Sequence, residues 1–174
     1  MRLSRHTDYA LRVLIHLATR PERLASIAEI ARAYGISENH LMKVVHMLGR
    51  AGFIRTVRGR GGGIALARAP EAIGIGEVVR HGEPDLNLAE CGSCVIAPAC
   101  GLNGALGEAL GAFLAVLDRY TVADVTRRKT DLAALLGITS ESAMPHGPVP
   151  LPQPRRGEQG GANELPRSSN GVWE

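Results

Sequence analysis

The sequence is poor in aromatic residues, has no long hydrophobic run and contains three cysteines among its 174 residues. Aromatic residues make up 3% of the chain and hydrophobic residues 45%, so we expect a core built mainly from aliphatic side chains. No stretch approaches the roughly 18 uninterrupted apolar residues that a membrane-spanning helix needs, which argues against a membrane partner. An odd number of cysteines argues against a disulfide scaffold, so we expect a protein of the reducing cytoplasm.

Charged residues are distributed unevenly along the chain. Residues 1–70 contain 12 Lys and Arg against 4 Asp and Glu, whereas residues 71–174 contain 8 against 13. The first part therefore has a net charge of +8 and the second of −5, although the whole chain is only +3. Such a basic first part favours a polyanion as its partner.

The basic part contains the pattern of a helix-turn-helix. Ser26 and Glu29 have the spacing of a capping box, in which each side chain bonds a backbone amide of the other, and they open a short helix. Gly35 ends that helix and Ser37 caps the next. Helix, glycine turn and helix over about residues 26–51 is the layout of a helix-turn-helix unit.

The segments on either side complete a winged domain. A first helix is predicted over residues 4–19, where apolar residues recur at helical spacing. A hairpin, or wing, is predicted over residues 53–66, and a short helix over residues 75–80. We therefore predict a mainly α fold with a small β-wing, in which residues 1–83 form a winged helix-turn-helix DNA-binding domain.

Polar and basic side chains lie where this domain would meet DNA. Asn and Lys can pair with base edges in the major groove, and arginines at a narrow wing tip can reach the minor groove or the phosphates. A helix-turn-helix can also be a plain structural corner, and a basic face can simply be solvated, but the charge distribution and the wing together favour DNA. The predicted DNA contacts are Ser37, Glu38, Asn39, His40 and Lys43 in the second helix of the unit and Arg55, Arg58 and Arg60 in the wing.

All three cysteines, Cys91, Cys94 and Cys100, fall within ten residues. Thiolates are the soft ligands that iron-sulfur clusters and zinc prefer, so we interpret residues 84–101 as a cluster-binding loop. Three thiolates leave a four-ligand site one ligand short. Unmodified thiols, structural zinc and a thiol-disulfide switch are the alternatives, and the histidines form no closely spaced pair that would favour zinc.

The last third of the chain divides into a helical segment and a tail. Residues 102–137 are predicted to form C-terminal helices, the first of them a long dimerisation helix extending to Tyr120. Residues 138–174 are rich in Pro and Gly, show no apolar periodicity and are predicted to be a disordered tail, either inert or partner-binding. The apolar positions of the long helix step by four, three, four and three, as in a coiled-coil seam: Leu106, Leu110, Phe113, Leu117 and Tyr120.

Four motifs together carry a resemblance to a known family. They are TDYALR at residues 7–12, SENHLMK at residues 37–43, VRGRGGG at residues 57–63 and the cysteine run at residues 91–100. They resemble the iron-sulfur winged-helix repressors typified by NsrR and IscR, over about residues 1–137. The resemblance implies a homodimeric transcriptional repressor of double-stranded operator DNA with one iron-sulfur cluster, 4Fe-4S or 2Fe-2S, in each subunit.

Within that family the sequence is more similar to the NsrR-like, nitric-oxide-sensing branch. IscR-like members place a histidine ligand three residues after the third cysteine, where this chain has Asn103. NsrR-like members use an aspartate of the first helix, donated across the dimer, and Asp8 stands in the matching place. From the residues alone, Asp8 would be an ordinary acid of a first helical turn. The two residues between Cys91 and Cys94 are fewer than the four or five usual in NsrR-like relatives.

The resemblance thus implies metal ligation by Cys91, Cys94, Cys100 and Asp8, and release of nitric-oxide detoxification genes from repression when nitric oxide reaches the cluster. The alternatives are an IscR-like regulator of cluster supply, a thiol or redox sensor of the same fold, and a cluster used in electron transfer or catalysis. No Gly-rich phosphate loop, nucleophile-base pair or paired catalytic carboxylates indicate an enzyme.

Overall fold

The structure is a computed structural model that describes residues 2–138. Over this range the predicted mainly α-helical fold with a small β-wing is confirmed. Two short 3₁₀ turns, Pro70–Ala72 and Ala97–Ala99, interrupt the longer connections. In chain order the elements are α1 (Arg5–Thr19), α2 (Ile27–Tyr34), α3 (Glu38–Arg50), β1 (Ile54–Val57), β2 (Gly63–Leu66), α4 (Ile75–Gly82), α5 (Leu102–Leu117), α6 (Val122–Val125) and α7 (Lys129–Leu135).

The helix-turn-helix is built by the caps that the sequence predicts, with one difference. The Ser26 hydroxyl accepts a hydrogen bond from the Glu29 amide at 3.1 Å, and Gly35 ends α2 with φ of 62°. The reciprocal half of the capping box is not formed, because the Glu29 carboxylate accepts a hydrogen bond from the Arg23 guanidinium at 2.6 Å. A charged partner thus replaces the backbone amide, since an ion-paired hydrogen bond is stronger than a neutral one. Within residues 2–138, Thr121 and Asp124 form a full capping box, at the start of α6.

The wing is an antiparallel hairpin in which Ile54 pairs with Leu66 and Val57 pairs with Gly63. Strand β2 is attached to the segment before α2, because the Ile64 amide donates to the Ala25 carbonyl at 2.8 Å and the Ala25 amide donates to the Ile64 carbonyl at 3.0 Å. The wing therefore has a fixed position relative to the helix-turn-helix.

The hydrophobic core extends beyond residues 1–83. Val122 of α6 is fully buried in the same core as α1, α3 and α4. Two backbone hydrogen bonds join the segment before α6 to the start of α4. The Ile75 amide donates to the Tyr120 carbonyl and the Val122 amide donates to the Ile73 carbonyl, both at 2.9 Å. Ile138, which the sequence analysis assigned to the tail, is buried, and its carbonyl accepts a hydrogen bond from Arg20. Helices as short as α6 carry too little periodicity to reveal this return. The rest of the predicted tail lies outside the described residues.

Helix α5 is shorter than predicted and lies on the surface of the protein. It ends at Leu117 rather than at Tyr120, and none of its sixteen residues is buried. Leu117 nevertheless packs against the core, so one residue of the predicted seam contacts the same chain. Arg80 of α4 donates two hydrogen bonds to Asp118, the residue that follows α5, at 2.7 and 2.6 Å.

A glycine at the end of α4 allows that helix to contact the start of α1. A Cβ atom at Gly82 would lie 2.4 Å from the Thr7 hydroxyl oxygen and 3.2 Å from the Thr7 Cα atom. We expect Gly82→Ala to lower the free energy of unfolding by about 1–3 kcal/mol, because a packed interface must separate to admit the methyl group. Thermal unfolding measures this as a lower Tm. Gly49→Ala is the control, since its methyl group would meet nothing within 4 Å in α3. Equal Tm values for the two variants would contradict this packing.

Candidate DNA-binding surface and cysteine loop

Helix α3 presents its polar face to solvent and its apolar face to the core. Glu38, Asn39, His40 and Lys43 are exposed, whereas Leu41 and the other inward residues of α3 are buried. The predicted contact Ser37 is exposed as well, but its hydroxyl caps α3 by accepting a hydrogen bond from the His40 amide at 3.3 Å. The first turns of α3 can therefore enter a groove while the rest of the helix stays anchored.

The basic residues of α3 and the wing are not neutralised by neighbouring acids. Arg58 and Arg60 are exposed at the wing tip, where Gly59 and Gly61 adopt φ of 101° and 76°, and Arg55 is half-buried on β1. Among residues 2–138, none of these three arginines forms an ion pair, and nor does Lys43. The arginines that do form ion pairs there are Arg12, Arg23, Arg68, Arg80, Arg127 and Arg128.

Asp8 is paired with a cation of its own helix. Its two carboxylate oxygens each lie 3.0 Å from Arg12, one from Nε and one from Nη2. Both side chains are a little over two-fifths exposed, at 44% for Asp8 and 43% for Arg12. The Arg12 guanidinium also lies 5.9 Å above the ring of Tyr34, whose pKa burial raises to about 12 against the opposing charge of Arg12. Sequence reasoning missed Arg12, although its spacing of four from Asp8 is the helical ion-pair spacing.

The cysteine loop is exposed and is turned by its own backbone hydrogen bonds. The Cys94 amide donates to the Cys91 carbonyl at 3.3 Å, and the Cys100 amide donates to the Ala97 carbonyl at 3.3 Å. All three thiols are free; Cys94 is exposed and the other two are half-buried. Val95 and Ile96 beside them are 92% and 60% exposed. Thiolates are the donor type that suits an iron-sulfur cluster, and this loop supplies three of them.

The predicted metal ligands do not converge on one point in the single chain. Across residues 2–138, no three or more His, Cys, Asp or Glu side chains are grouped so that they could hold a metal ion. The three cysteines do not form such a group by themselves, and the predicted ligand set of Cys91, Cys94, Cys100 and Asp8 is not assembled within the single chain.

Glu83 connects the start of the cysteine loop to α1, which sequence reasoning did not predict. Its carboxylate accepts a hydrogen bond from the Ser4 amide at 2.7 Å. Burial alone would raise the pKa of Glu83, but hydrogen bonds from Thr7 and Ser4, with His6 nearby, outweigh burial and hold the pKa below its usual range. The ionised carboxylate therefore ties the end of α4 to the N-terminus of α1 at neutral pH.

A helix-turn-helix with an attached wing and an uncompensated basic face defines a winged-helix transcriptional regulator. The family model described as "Rrf2: Iron-dependent Transcriptional regulator" matches residues 3–128, and the chain belongs to this family. No helix within residues 2–138 is long and apolar enough to cross a membrane.

Relatives and solved structures agree with this assignment. The HTH-type transcriptional regulator NsrR of Bacillus subtilis is 54% identical over 142 residues, covering 78% of this chain and 97% of that protein. NsrR of Halalkalibacterium halodurans is 47% identical, covering 79% and 99%. The structure of CymR, described as the global cysteine regulator of B. subtilis, gives a TM-score of 0.63 at 28% identity, covering 74% of this chain and 98% of that one. T. potens IscR also gives 0.63, at 26% identity, covering 76% and 90%. The prediction of a winged-helix transcriptional repressor similar to NsrR is confirmed.

Proposed function

We propose that this repressor is a cytoplasmic homodimer that holds one 4Fe-4S or 2Fe-2S cluster per subunit and releases its operator in response to nitric oxide. The genes that it represses would then encode nitric-oxide detoxification. One observation carries the proposal: three free thiols share one accessible loop in a chain that is 54% identical to an NsrR.

The proposed ligands are Cys91, Cys94 and Cys100 of one subunit and Asp8 of the other. A cluster held there would supply iron atoms with which nitric oxide reacts. Asp8 is the weakest of the four ligands, because a carboxylate oxygen is harder than a thiolate and binds soft metal centres less firmly. When Asp8 leaves, Arg12 is in place to pair with it, at the 3.0 Å distances found in the single chain.

The dimer is proposed to form through α5. Leu102 and Val116 of α5, and Tyr120 just after it, leave about half of their surface exposed in the single chain. An exposed apolar helix of sixteen residues favours cover by a second copy. Such a dimer would place two α3 helices on one palindromic operator, whose half-sites lie about 34 Å apart when separated by one helical turn.

Motion of α1 provides the connection between Asp8 and DNA. Helix α1 packs against α3 and α4, and its buried residues belong to the same core as those of α3. Holding Asp8 in the other subunit therefore fixes the orientation of α3 relative to its partner. When Asp8 is released, the two α3 helices can move away from the separation that the operator half-sites require. A difference of a few kcal/mol between the operator-binding free energies of the two states is enough to abolish repression, since each 1.4 kcal/mol changes affinity about tenfold.

Asn103 favours nitric oxide as the signal over cluster supply. It stands exposed in the first turn of α5, three residues after Cys100, where an IscR-like protein would have its histidine ligand. A thiol sensor without iron is the second candidate, because the same three thiols are free and accessible to oxidants.

The proposal is tested on protein purified without oxygen. We expect visible absorption from an iron-sulfur cluster, bound iron and sulfide, and loss of that absorption in step with release of a fluorescent operator as nitric oxide is added. The operator would be selected from a random pool and followed by anisotropy at fixed salt. Colourless, iron-free protein that binds the operator selectively would establish the thiol sensor. A cluster whose reaction with nitric oxide leaves operator binding unchanged would remove nitric oxide as the signal.

A further inference from the structure

A basic cavity lies between the first turns of α1 and the middle of α3. Its volume is about 220 Å³, and the buried Val44 is one of the residues that line it. The ring of Tyr9 lies beside that of His40, with centroids 6.5 Å apart and planes inclined by 44°. The polar groups that line the cavity are Arg5, His6 and Tyr9 of α1 and His40 and Lys43 of α3.

Two cations of this cavity have no ion-pair partner in the part of the chain that the structure describes, while His6 has the Glu83 carboxylate nearby. Neither Arg5 nor Lys43 forms an ion pair with any residue in the described range 2–138. The contrast with Arg12 is informative, because Arg12 is on the same helix and is neutralised by Asp8. Two cations, two imidazoles and a phenol around one opening form a site for an oxyanion such as phosphate.

We infer that this cavity binds one backbone phosphate of the operator, so that α1 contacts DNA directly. The inference rests on the proposed operator binding. Operator DNA is favoured over a free anion because His40 and Lys43 also belong to the exposed face of α3 that would enter the groove. A phosphate beside that groove comes within reach of α1 when α3 docks, and contacts of this kind fix the register of a protein on the duplex.

A phosphate contact on α1 places the DNA and the cluster ligand on one rigid element. Arg5 and Tyr9 lie on either side of Asp8 within little more than one turn of helix, a span of roughly 6 Å. A displacement of Asp8 therefore moves the phosphate site by a similar amount. The operator would sense the state of Asp8 through this contact as well as through the spacing of the two α3 helices.

Arg5→Ala tests the inference, with binding measured by anisotropy over a range of salt concentrations. We expect affinity for the operator and for a scrambled duplex to fall by a similar factor, on the order of tenfold, and the slope of log affinity against log salt to decrease by about one per lost phosphate contact. Arg5→Lys should restore most of the slope because it retains the charge. Lys129→Ala is the control; Lys129 is exposed on α7, away from this cavity, and its loss should leave the slope unchanged.

Three results would overturn the inference or separate it from the proposed function. An unchanged salt slope in Arg5→Ala would remove α1 from the DNA interface. Inorganic phosphate that binds the wild type but not Arg5→Ala by calorimetry, with DNA binding unaffected, would identify a free-anion site instead. If Arg5→Ala lowered the salt slope as expected but the wild type kept its operator when nitric oxide was added, the phosphate contact would be supported and nitric oxide would not be the signal.

Discussion

Cys94→Ala is expected to abolish the cluster and specific operator binding together. Cys94 is the exposed cysteine at the centre of the loop, between the half-buried Cys91 and Cys100. Its side chain contributes nothing to the core, so the variant should fold with the Tm of the cluster-free wild type. Two thiolates and one carboxylate are too few ligands for a stable cluster, and without it nothing holds Asp8 across the dimer. We expect operator affinity to approach that for unrelated DNA, a loss on the order of 10³-fold or more.

The measurements are iron content, visible absorption and anisotropy with operator and scrambled duplexes at the same salt concentration. Ser93→Ala is the matched control, because Ser93 is exposed on the same loop and has no proposed role as a ligand. Ser93→Ala should retain the cluster and bind the operator with wild-type affinity. If Cys94→Ala lost iron but bound the operator with wild-type selectivity, the cluster would not control DNA binding. The thiol sensor would then be tested by oxidising the remaining cysteines.

The parts of the fold that follow from local rules were predictable from the sequence. Ser26, Gly35 and Ser37 mark the ends of α2 and α3, and each adopts the cap that its residue type favours. The wing follows from β-forming residues on either side of a glycine run. These signals depend on residues close together in the chain, so one sequence is enough to read them.

The parts that depend on distant contacts were not predictable. Glu29 bonds Arg23 rather than the Ser26 amide, a choice between two partners that the spacing alone does not decide. Val122 and Ile138 are buried although they lie far along the chain from the rest of the core, and no apolar periodicity around them predicts this. The cavity between α1 and α3 also depends on tertiary packing. Arg5 and Tyr9 share a face by their spacing of four, but the approach of Lys43 depends on how α1 and α3 pack.

Asp8→Ala is expected to keep the cluster while reducing its control over DNA. Three cysteines can retain a cluster with a small molecule as fourth ligand, so the absorption should persist. The variant removes the connection between cluster and α1, and it also leaves Arg12 without its carboxylate. We expect nitric oxide to lower operator affinity on the order of a hundredfold in the wild type, about 2.8 kcal/mol, and by less than about threefold in Asp8→Ala. Anisotropy with and without nitric oxide measures both values.

Asp118→Ala shows whether the effect belongs to Asp8 or to the loss of an ion pair. Asp118 and Arg80 form a two-point pair like that of Asp8 and Arg12, and the acids have matching exposures of 45% and 44%. Exposed ion pairs contribute little to stability, so both variants should unfold at similar temperatures. Only Asp8→Ala should change the nitric oxide response. An equal change in both variants would assign the effect to surface charge, and an unchanged response in Asp8→Ala would remove Asp8 from the mechanism. A further outcome is that Asp8→Ala responds weakly to nitric oxide while Arg5→Ala responds fully but binds the operator with lower affinity. In that case α1 contributes separately to sensing, through Asp8, and to DNA binding, through the phosphate contact of Arg5.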